Sequence, residues 1–157
     1  MNILFLDYDG VINIPMWNKE GTVCKYDRSF QCIQWVSEFC QKFNYKIVVT
    51  STWRLRSNYK EHLINGGLRD GVEIIGKTED FRYSYFDSFI RGNEIQDFID
   101  THRDLNIENF IILDDDKDMG DLIDHLILCD ATRGFGLIEF EKAKELHMKF
   151  LERKLWK

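Results

Sequence analysis

Two aspartates separated by a single residue follow an apolar segment near the start of the chain. The sequence reads MNILFLDYDGVIN, so Asp7 and Asp9 come directly after the apolar run 3–6, and Gly10 follows them. Carboxylates this close repel each other, and both stay ionised only where a cation or strong hydrogen-bond donors share the site. The pair therefore indicates a reactive or binding centre at the end of a buried strand. A turn in which the aspartates only accept backbone hydrogen bonds is the alternative for this motif.

Two other apolar stretches end in polar residues in the same way. Thr50 and Ser51 follow the stretch 45–49, and Asp114 and Asp115 follow the stretch 110–113. In a parallel sheet the carboxyl ends of the strands collect the loops that bind ligands. We therefore expect these polar residues to meet Asp7 and its neighbours at one edge of one sheet.

Clustered carboxylates at such an edge favour a specific chemistry. Hard oxygen ligands in this number are typical of Mg²⁺, and the sequence has no histidine and cysteine cluster of the kind that binds zinc. Mg²⁺ with carboxylates indicates phosphoryl transfer. One carboxylate can attack phosphorus to form an aspartyl-phosphate, and a second can protonate the leaving oxygen and then activate water. The hydroxyl and N–H groups of Thr50 and Ser51, with one cationic side chain, can bind the phosphoryl oxygens.

The elements that position these residues alternate between strands and helices. This alternation predicts an α/β fold with a doubly wound, mostly parallel sheet and helices on both faces. Predicted strands cover residues 2–6, 45–49, 72–75, 110–113 and 125–129. Predicted helices cover 28–43 with Asp27 as the cap, a short segment from Ser57 to Gly66, 91–102, 118–124 and 138–157, while 10–26 is expected to be irregular.

Composition limits the classes of function that the chain can have. Its 157 residues suit a single domain, 1–157, with a small flap at about 10–26. The formal net charge of −6 gives no basic footprint for nonspecific nucleic-acid binding. We expect a cytoplasmic protein, because the four cysteines show no disulfide or metal spacing and the chain shows no signal peptide and no apolar run of membrane-spanning length.

Several motifs together resemble those of a known superfamily. DYDGV after a hydrophobic strand resembles the first motif of the haloacid dehalogenase (HAD) superfamily of aspartate-nucleophile phosphatases. VVTS resembles the second motif and ILDDD the acidic fourth motif, while the third motif is a single Lys or Arg. The phrases FLDYDGVIN, TSTWR, RGNEI, LDDD and LILCDATRGFGL are similar to the small HAD domains associated with Swiss-army-knife RNA-repair proteins.

The resemblance implies roles for the acidic residues. Asp7 would be the nucleophile and a Mg²⁺ ligand, and Asp9 would be the general acid and base, with its backbone carbonyl on the metal. Gly10 would let the chain turn away beside the bound phosphate, where a side chain would crowd. Asp115 would be the third protein ligand, with Asp114 beside it as a ligand or a hydrogen-bond partner.

The resemblance also implies which residues bind the phosphoryl group. Thr50 or Ser51 would donate to it, and the register between these two stays open. Arg91 is the preferred third-motif cation, with Lys77 as the rival because it too follows a strand. Arg54, directly after the second motif, is expected at the mouth of the site, where it could grip a phosphate.

These expectations combine into a predicted function. The chain is expected to be a Mg²⁺-dependent phosphomonoesterase that acts through an aspartyl-phosphate at Asp7. The flap at 10–26 is too short for a substantial cap domain, and the resemblance implies that such an open site serves a bulky substrate. A nucleic-acid end, a nucleotide or a phosphoprotein is expected, with no membrane partner. The aromatic segment 81–90 is expected to pack in the core or in a loop, and the four histidines to be structural. A receiver-like signalling domain or a non-catalytic phosphoryl-binding module is the alternative.

Overall fold

A computed structural model describes residues 1–82 and 90–156. Within these residues the chain forms seven strands and four helices, joined in part by short 3₁₀ turns at Thr52–Leu55, Arg103–Leu105 and Gly120–His125. In chain order the elements are β1 (Asn2–Leu6), β2 (Asn13–Trp17), β3 (Val23–Arg28), α1 (Phe30–Phe43), β4 (Tyr45–Val49), α2 (Tyr59–Asn65), β5 (Ile74–Lys77), α3 (Ile90–Thr101), β6 (Asn109–Asp114), β7 (Leu126–Leu128) and α4 (Leu137–Leu155).

Five of these strands form one parallel sheet in the order β5-β4-β1-β6-β7. Strand β1 lies at the centre, and the side chains from Ile3 to Leu6 are completely buried. A run without polar alternation is typical of a strand that is covered on both faces. The predicted α/β fold with a doubly wound parallel sheet is confirmed.

Alternate residues of β1 enter two separate cores. Leu4 and Leu6 pack in the larger core, beneath helices α1 and α4. Ile3 and Phe5 pack in the smaller core, beneath α3. Successive side chains of a strand point to opposite faces, so β1 contributes to a core on each side of the sheet. Helices cover both of these faces.

The segment between β1 and α1 forms a β-hairpin, so the prediction of irregular structure there is wrong. Strands β2 and β3 pair antiparallel, with Pro15 opposite Tyr26, and the register shifts after Met16. The hairpin escaped prediction because Pro15 disfavours a strand and β3 is exposed along most of its length, so it shows no apolar alternation.

Several predicted element ends shift in the structure. Ser29, not Asp27, caps α1 by accepting a hydrogen bond from the Cys32 N–H, and α2 begins after Asn58 rather than at Ser57. Strand β5 begins two residues later than predicted, β7 is shorter, and the turn at Gly120–His125 replaces the short helix. Of the aromatic segment 81–90, residues 83–89 lie outside the described residues. Across the described ranges, no helix combines the length and apolar character needed to cross a membrane.

Candidate active site

Asp7 and Asp114 lie side by side at the carboxyl edge of the sheet. The register of β1 with β6 pairs Leu6 with Leu113, and the Asp7 N–H donates to the Leu113 carbonyl at 3.0 Å. The next residue on each strand is therefore an aspartate. Together with Asp115 they form a cluster in which one carboxylate oxygen of each residue lies within 4.8 Å of the others.

Burial makes this acidic cluster electrostatically costly. Removal from water raises the pKa of Asp7 to about 6, although the nearby Arg91 guanidinium opposes the shift. Burial and the neighbouring Asp7 raise the pKa of Asp114 to about 8. The pKa of Asp115 is also raised, mainly by burial. Such a set of carboxylates loses its protons readily only when additional positive charge is present.

The donor set fits a hard divalent cation. Asp114 Oδ2 is buried and accepts no hydrogen bond from the described part of the chain. Its neighbouring positive charge is Arg91, whose Nε lies 3.3 Å away. Three carboxylates facing one guanidinium leave negative charge uncompensated, and carboxylate oxygens are the ligands that Mg²⁺ prefers. Asp7, Asp114 and Asp115 are therefore the residues whose carboxylates could hold the ion.

Arg91 enters the cluster from the first turn of α3. Its guanidinium lies 3.9 Å from Asp7 Oδ1, in addition to its contact with Asp114. The start of α3 is docked on the loop after β6, because the Gly92 N–H donates to the Asp118 carbonyl at 3.0 Å. A Cβ at Gly92 would overlap the Met119 backbone, so glycine is required for this close approach.

The rival cation, Lys77, has different partners. Its Nζ donates to the Arg54 carbonyl at 2.9 Å and lies over the Tyr59 ring. Arg91 is therefore the better candidate for the cation of the site.

Asp9 stands outside the carboxylate cluster, towards solvent. Its Oδ1 accepts hydrogen bonds from Asn13 Nδ2 at 2.8 Å and from Trp53 Nε1 at 3.2 Å. The predicted contact of Asp9 with the metal uses its backbone carbonyl oxygen. The cluster is defined by side-chain carboxylates, so it gives no information on that contact. The separation of Asp7 from Asp9 is what two different chemical roles would require.

Gly10 turns the chain between these aspartates and the hairpin. Its φ of +78° lies in the left-handed region that favours glycine. A Cβ at this position would overlap the carboxylate of Asp115. The space that the missing side chain leaves is thus filled by an acidic residue of the cluster, whereas the sequence suggested a bound phosphate.

The hydroxyls of Thr50 and Ser51 differ in their partners. Both residues are completely buried after β4, and the Thr50 N–H donates to the Leu6 carbonyl at 2.9 Å. Ser51 Oγ accepts from the Trp53 N–H at 3.2 Å and so caps the following turn. Thr50 Oγ1 is buried and has no hydrogen-bond partner among the described residues. Thr78 Oγ1 is buried and unpartnered in the same way, and sequence reasoning missed it.

Arg54 does not lie at the mouth of the site as predicted, because it is only 1% exposed. Its guanidinium donates to the carbonyls of Thr50, Thr78 and Glu79. It also forms a buried ion pair with Glu94 at 2.9 Å. Arg54 therefore joins the loops after β4 and β5 to helix α3 and supports the site from within.

Three residues beside Asp9 received no role from the sequence. Asn13 and Trp53 contact its carboxylate, and His62 Nε2 lies 2.7 Å from Asn13 Oδ1. Asn13 and Trp53 lie within the phrases FLDYDGVIN and TSTWR, which was the available signal. His62 lies on α2 and gave no such signal, because only the tertiary fold brings it to the motif.

Comparison with known proteins shows the family to which the chain belongs. The family model described as the HAD domain in Swiss Army Knife RNA repair proteins matches residues 3–138, which include every acidic residue of the cluster. A search of curated proteins found no match. The family match covers most of the chain, and the chain belongs to the family of HAD domains found in Swiss Army Knife RNA repair proteins.

Proposed function

We propose that this chain is a Mg²⁺-dependent phosphomonoesterase that acts through an aspartyl-phosphate at Asp7. The observation that carries the proposal is the division of the acidic residues. Asp7 lies in the carboxylate cluster beside Arg91, while Asp9 is held two residues away, outside that cluster. This division supports two different roles, with Asp7 proposed as the nucleophile and Asp9 as the group that transfers a proton.

In the first half-reaction the Asp7 carboxylate attacks phosphorus and a bond from Asp7 to the phosphoryl group forms. The bond from phosphorus to the ester oxygen breaks, and that oxygen takes its electron pair and a proton from Asp9. The Arg91 guanidinium and the Thr50 hydroxyl bind phosphoryl oxygens during the transfer. The unpartnered state of Thr50 Oγ1 supports this role.

In the second half-reaction the Asp9 carboxylate takes a proton from water, whose oxygen attacks phosphorus. The bond from phosphorus to Asp7 breaks, and inorganic phosphate leaves. Mg²⁺, when bound, supplies positive charge that lets Asp7, Asp114 and Asp115 ionise together and that offsets charge on the phosphoryl oxygens. The nucleophilic attack and both proton transfers are carried out by side chains of the protein.

For the substrate we propose a phosphate at a nucleic-acid end, with a nucleotide or a phosphoprotein as the alternatives. Support comes from the family's description, which names RNA repair. A second support is the small size of the insert between β1 and α1, where the chain forms a hairpin. Trp17 and Tyr26 on that hairpin are 59% and 63% exposed, so the segment that follows the motif carries exposed aromatic surface.

The test is phosphate release from an aryl phosphate, mononucleotides, a phosphopeptide, and oligonucleotides with a 3′- or 5′-phosphate. Each is measured with Mg²⁺, with EDTA and with Asp7→Asn. Asp116→Asn is the matched control, because Asp116 is exposed and lies next to the cluster. We expect release that needs Mg²⁺, is lost in Asp7→Asn and is retained in the control.

The alternatives predict different results. Stoichiometric phosphorylation without turnover would indicate a receiver-like domain. No release from any substrate, by a folded protein that binds Mg²⁺, would overturn the phosphatase proposal in favour of a binding module.

A further inference from the structure

The carboxylate of Asp9 is oriented by two donors that contact the same oxygen. Asn13 Nδ2 and Trp53 Nε1 both donate to Oδ1, at 2.8 Å and 3.2 Å. No hydrogen bond to Oδ2 is found within residues 1–82 and 90–156. The two oxygens of this exposed side chain are therefore not equivalent, although an exposed aspartate usually rotates freely.

Two backbone hydrogen bonds fix the position of Asn13. Its N–H donates to the Tyr8 carbonyl at 2.7 Å, and its carbonyl accepts from the Gly10 N–H at 2.8 Å. Asn13 thus closes the turn that contains Asp9, and its side chain crosses this turn. The first strand of the hairpin and the carboxylate of Asp9 are fixed relative to each other.

His62 determines which way the Asn13 amide faces. Its Nε2 lies 2.7 Å from Asn13 Oδ1, an atom that can only accept, so Nε2 carries a hydrogen and donates. The reverse amide orientation would place Asn13 Oδ1 against a carboxylate oxygen of Asp9. The His62 donor therefore directs the Asn13 NH₂ group at Asp9.

Aromatic packing keeps the imidazole of His62 from turning. The ring lies 5.4 Å from the Tyr8 ring, nearly parallel to it, and 4.2 Å from the Trp53 ring. Tyr8 donates its hydroxyl hydrogen to the Tyr59 carbonyl in α2 at 2.7 Å, which ties this stack to the helix that carries His62. One packed group thus supplies both donors to Asp9 Oδ1.

From this arrangement we propose that Asn13, Trp53 and His62 are positioning residues that aim Asp9 Oδ2 at the leaving-group oxygen. The proposal rests on the phosphatase function proposed above. The proton leaves Oδ2 for the ester oxygen as its bond to phosphorus breaks. The negative charge that this leaves on the carboxylate is met at Oδ1 by the Asn13 and Trp53 donors, which are already in place.

The test compares substrates that need an acid with substrates that do not. A simple alkyl phosphate has a poor leaving group and depends on proton donation, whereas 4-nitrophenyl phosphate has a good one. His62→Phe keeps an aromatic ring between Tyr8 and Trp53 but removes the donor. We expect kcat/KM to fall about 10-fold or more on the alkyl phosphate and less than about 3-fold on the aryl phosphate, with the same difference for Asn13→Ala and Trp53→Phe.

Two further variants separate positioning from packing. His62→Gln places an N–H donor near the former Nε2 and is expected to recover most of the activity on the alkyl phosphate. His102→Phe is the control, because His102 stacks on Phe98 in the opposite core at 4.0 Å and is expected to leave both substrates unaffected. An equal loss on both substrates in His62→Phe, without recovery in His62→Gln, would overturn the proposal while the phosphatase function stands.

A measurement on the wild-type protein tests the arrangement even if the variants do not fold, because it needs neither a variant nor an activity assay. Nitrogen-15 NMR of histidine-labelled wild-type protein reports which ring nitrogen of His62 carries the hydrogen. We expect the form protonated at Nε2, and an Nε2 without hydrogen would refute the arrangement. Wild-type protein that hydrolyses neither substrate would overturn the function and the positioning together.

Discussion

Asp114→Asn is expected to stabilise the metal-free protein at pH 8, although it removes a residue of the candidate metal site. Asp114 is 1% exposed, and burial beside Asp7 raises its pKa to about 8. The folded protein therefore holds this proton more tightly than the unfolded chain does. The stability that this one group contributes is therefore fully present below about pH 4 and is lost as the pH rises towards about 8, where the folded protein must ionise the group.

The size of the effect follows from the shift of the pKa. A rise of the pKa from 3.8 to about 8 corresponds to about 5 kcal/mol, at about 1.36 kcal/mol per pKa unit. This shift already includes the attraction of Arg91 for the Asp114 carboxylate, which opposes the rise. The gain of the variant at pH 8 is therefore at most about 5 kcal/mol, or about 10–20 °C in Tm for a chain of this size.

The assay is thermal unfolding in EDTA at pH 8 and pH 5, followed by addition of Mg²⁺ at pH 8. We expect the variant to unfold at the higher temperature in EDTA at pH 8, with at least half of that advantage lost at pH 5. Mg²⁺ should raise the Tm of the wild type and leave that of Asp114→Asn unchanged. Asp116→Asn, which alters an exposed carboxylate two residues away, should follow the wild type in every condition. A variant less stable than the wild type in EDTA at pH 8 would refute the reasoning.

Three further predictions concern the groups around the cluster. Gly10→Ala adds a Cβ against the Asp115 carboxylate at a φ of +78°, so it should weaken Mg²⁺ binding in calorimetry and lower unfolding free energy by about 2–4 kcal/mol. Gly71→Ala has a similar φ of +85° but open space around the Cβ, so a comparable loss of Mg²⁺ affinity there would contradict the steric argument. Arg54→Met should lower the unfolding free energy measured in urea by about 3 kcal/mol, because the buried Glu94 carboxylate loses its nearer ion-pair partner and retains Arg91 at 3.5 Å. A folded variant with only a raised KM would instead favour a substrate contact. Arg91→Lys keeps the charge but cannot span two carboxylates, so kcat should fall about 10-fold or more in steady-state assays, and full activity would exclude a bridging role.

Local sequence pattern could predict the strands at the centre of the sheet because most of their residues are apolar. Strands β1 and β4 match their predicted residues, and both end at polar side chains. The approach of Asp7 to Asp114 could be expected for the same reason, since adjacent parallel strands bring equivalent ends together.

The features that escaped prediction depend on the direction in which a side chain points and on contacts between residues far apart in the sequence. Arg54 follows the second motif closely, but the turn at Thr52–Leu55 points its side chain inward, which spacing alone does not reveal. His62 reaches Asn13 across 49 residues of sequence through the packing of α2. Hydrophobic periodicity predicts neither contact, because it indicates which face of a helix or strand is buried and not which group a polar side chain contacts.

The pairing of β1 with β6 also bears on how the chain folds. Asn2 lies opposite Asn109, so this pairing closes a loop of more than a hundred residues, which is slow compared with forming local helices and the hairpin. Until that loop closes, Asp7 and Asp114 are far apart and do not repel each other. The repulsion within the cluster therefore raises the free energy of the folded protein and not that of its early intermediates. We expect it to act mainly by increasing the rate of unfolding.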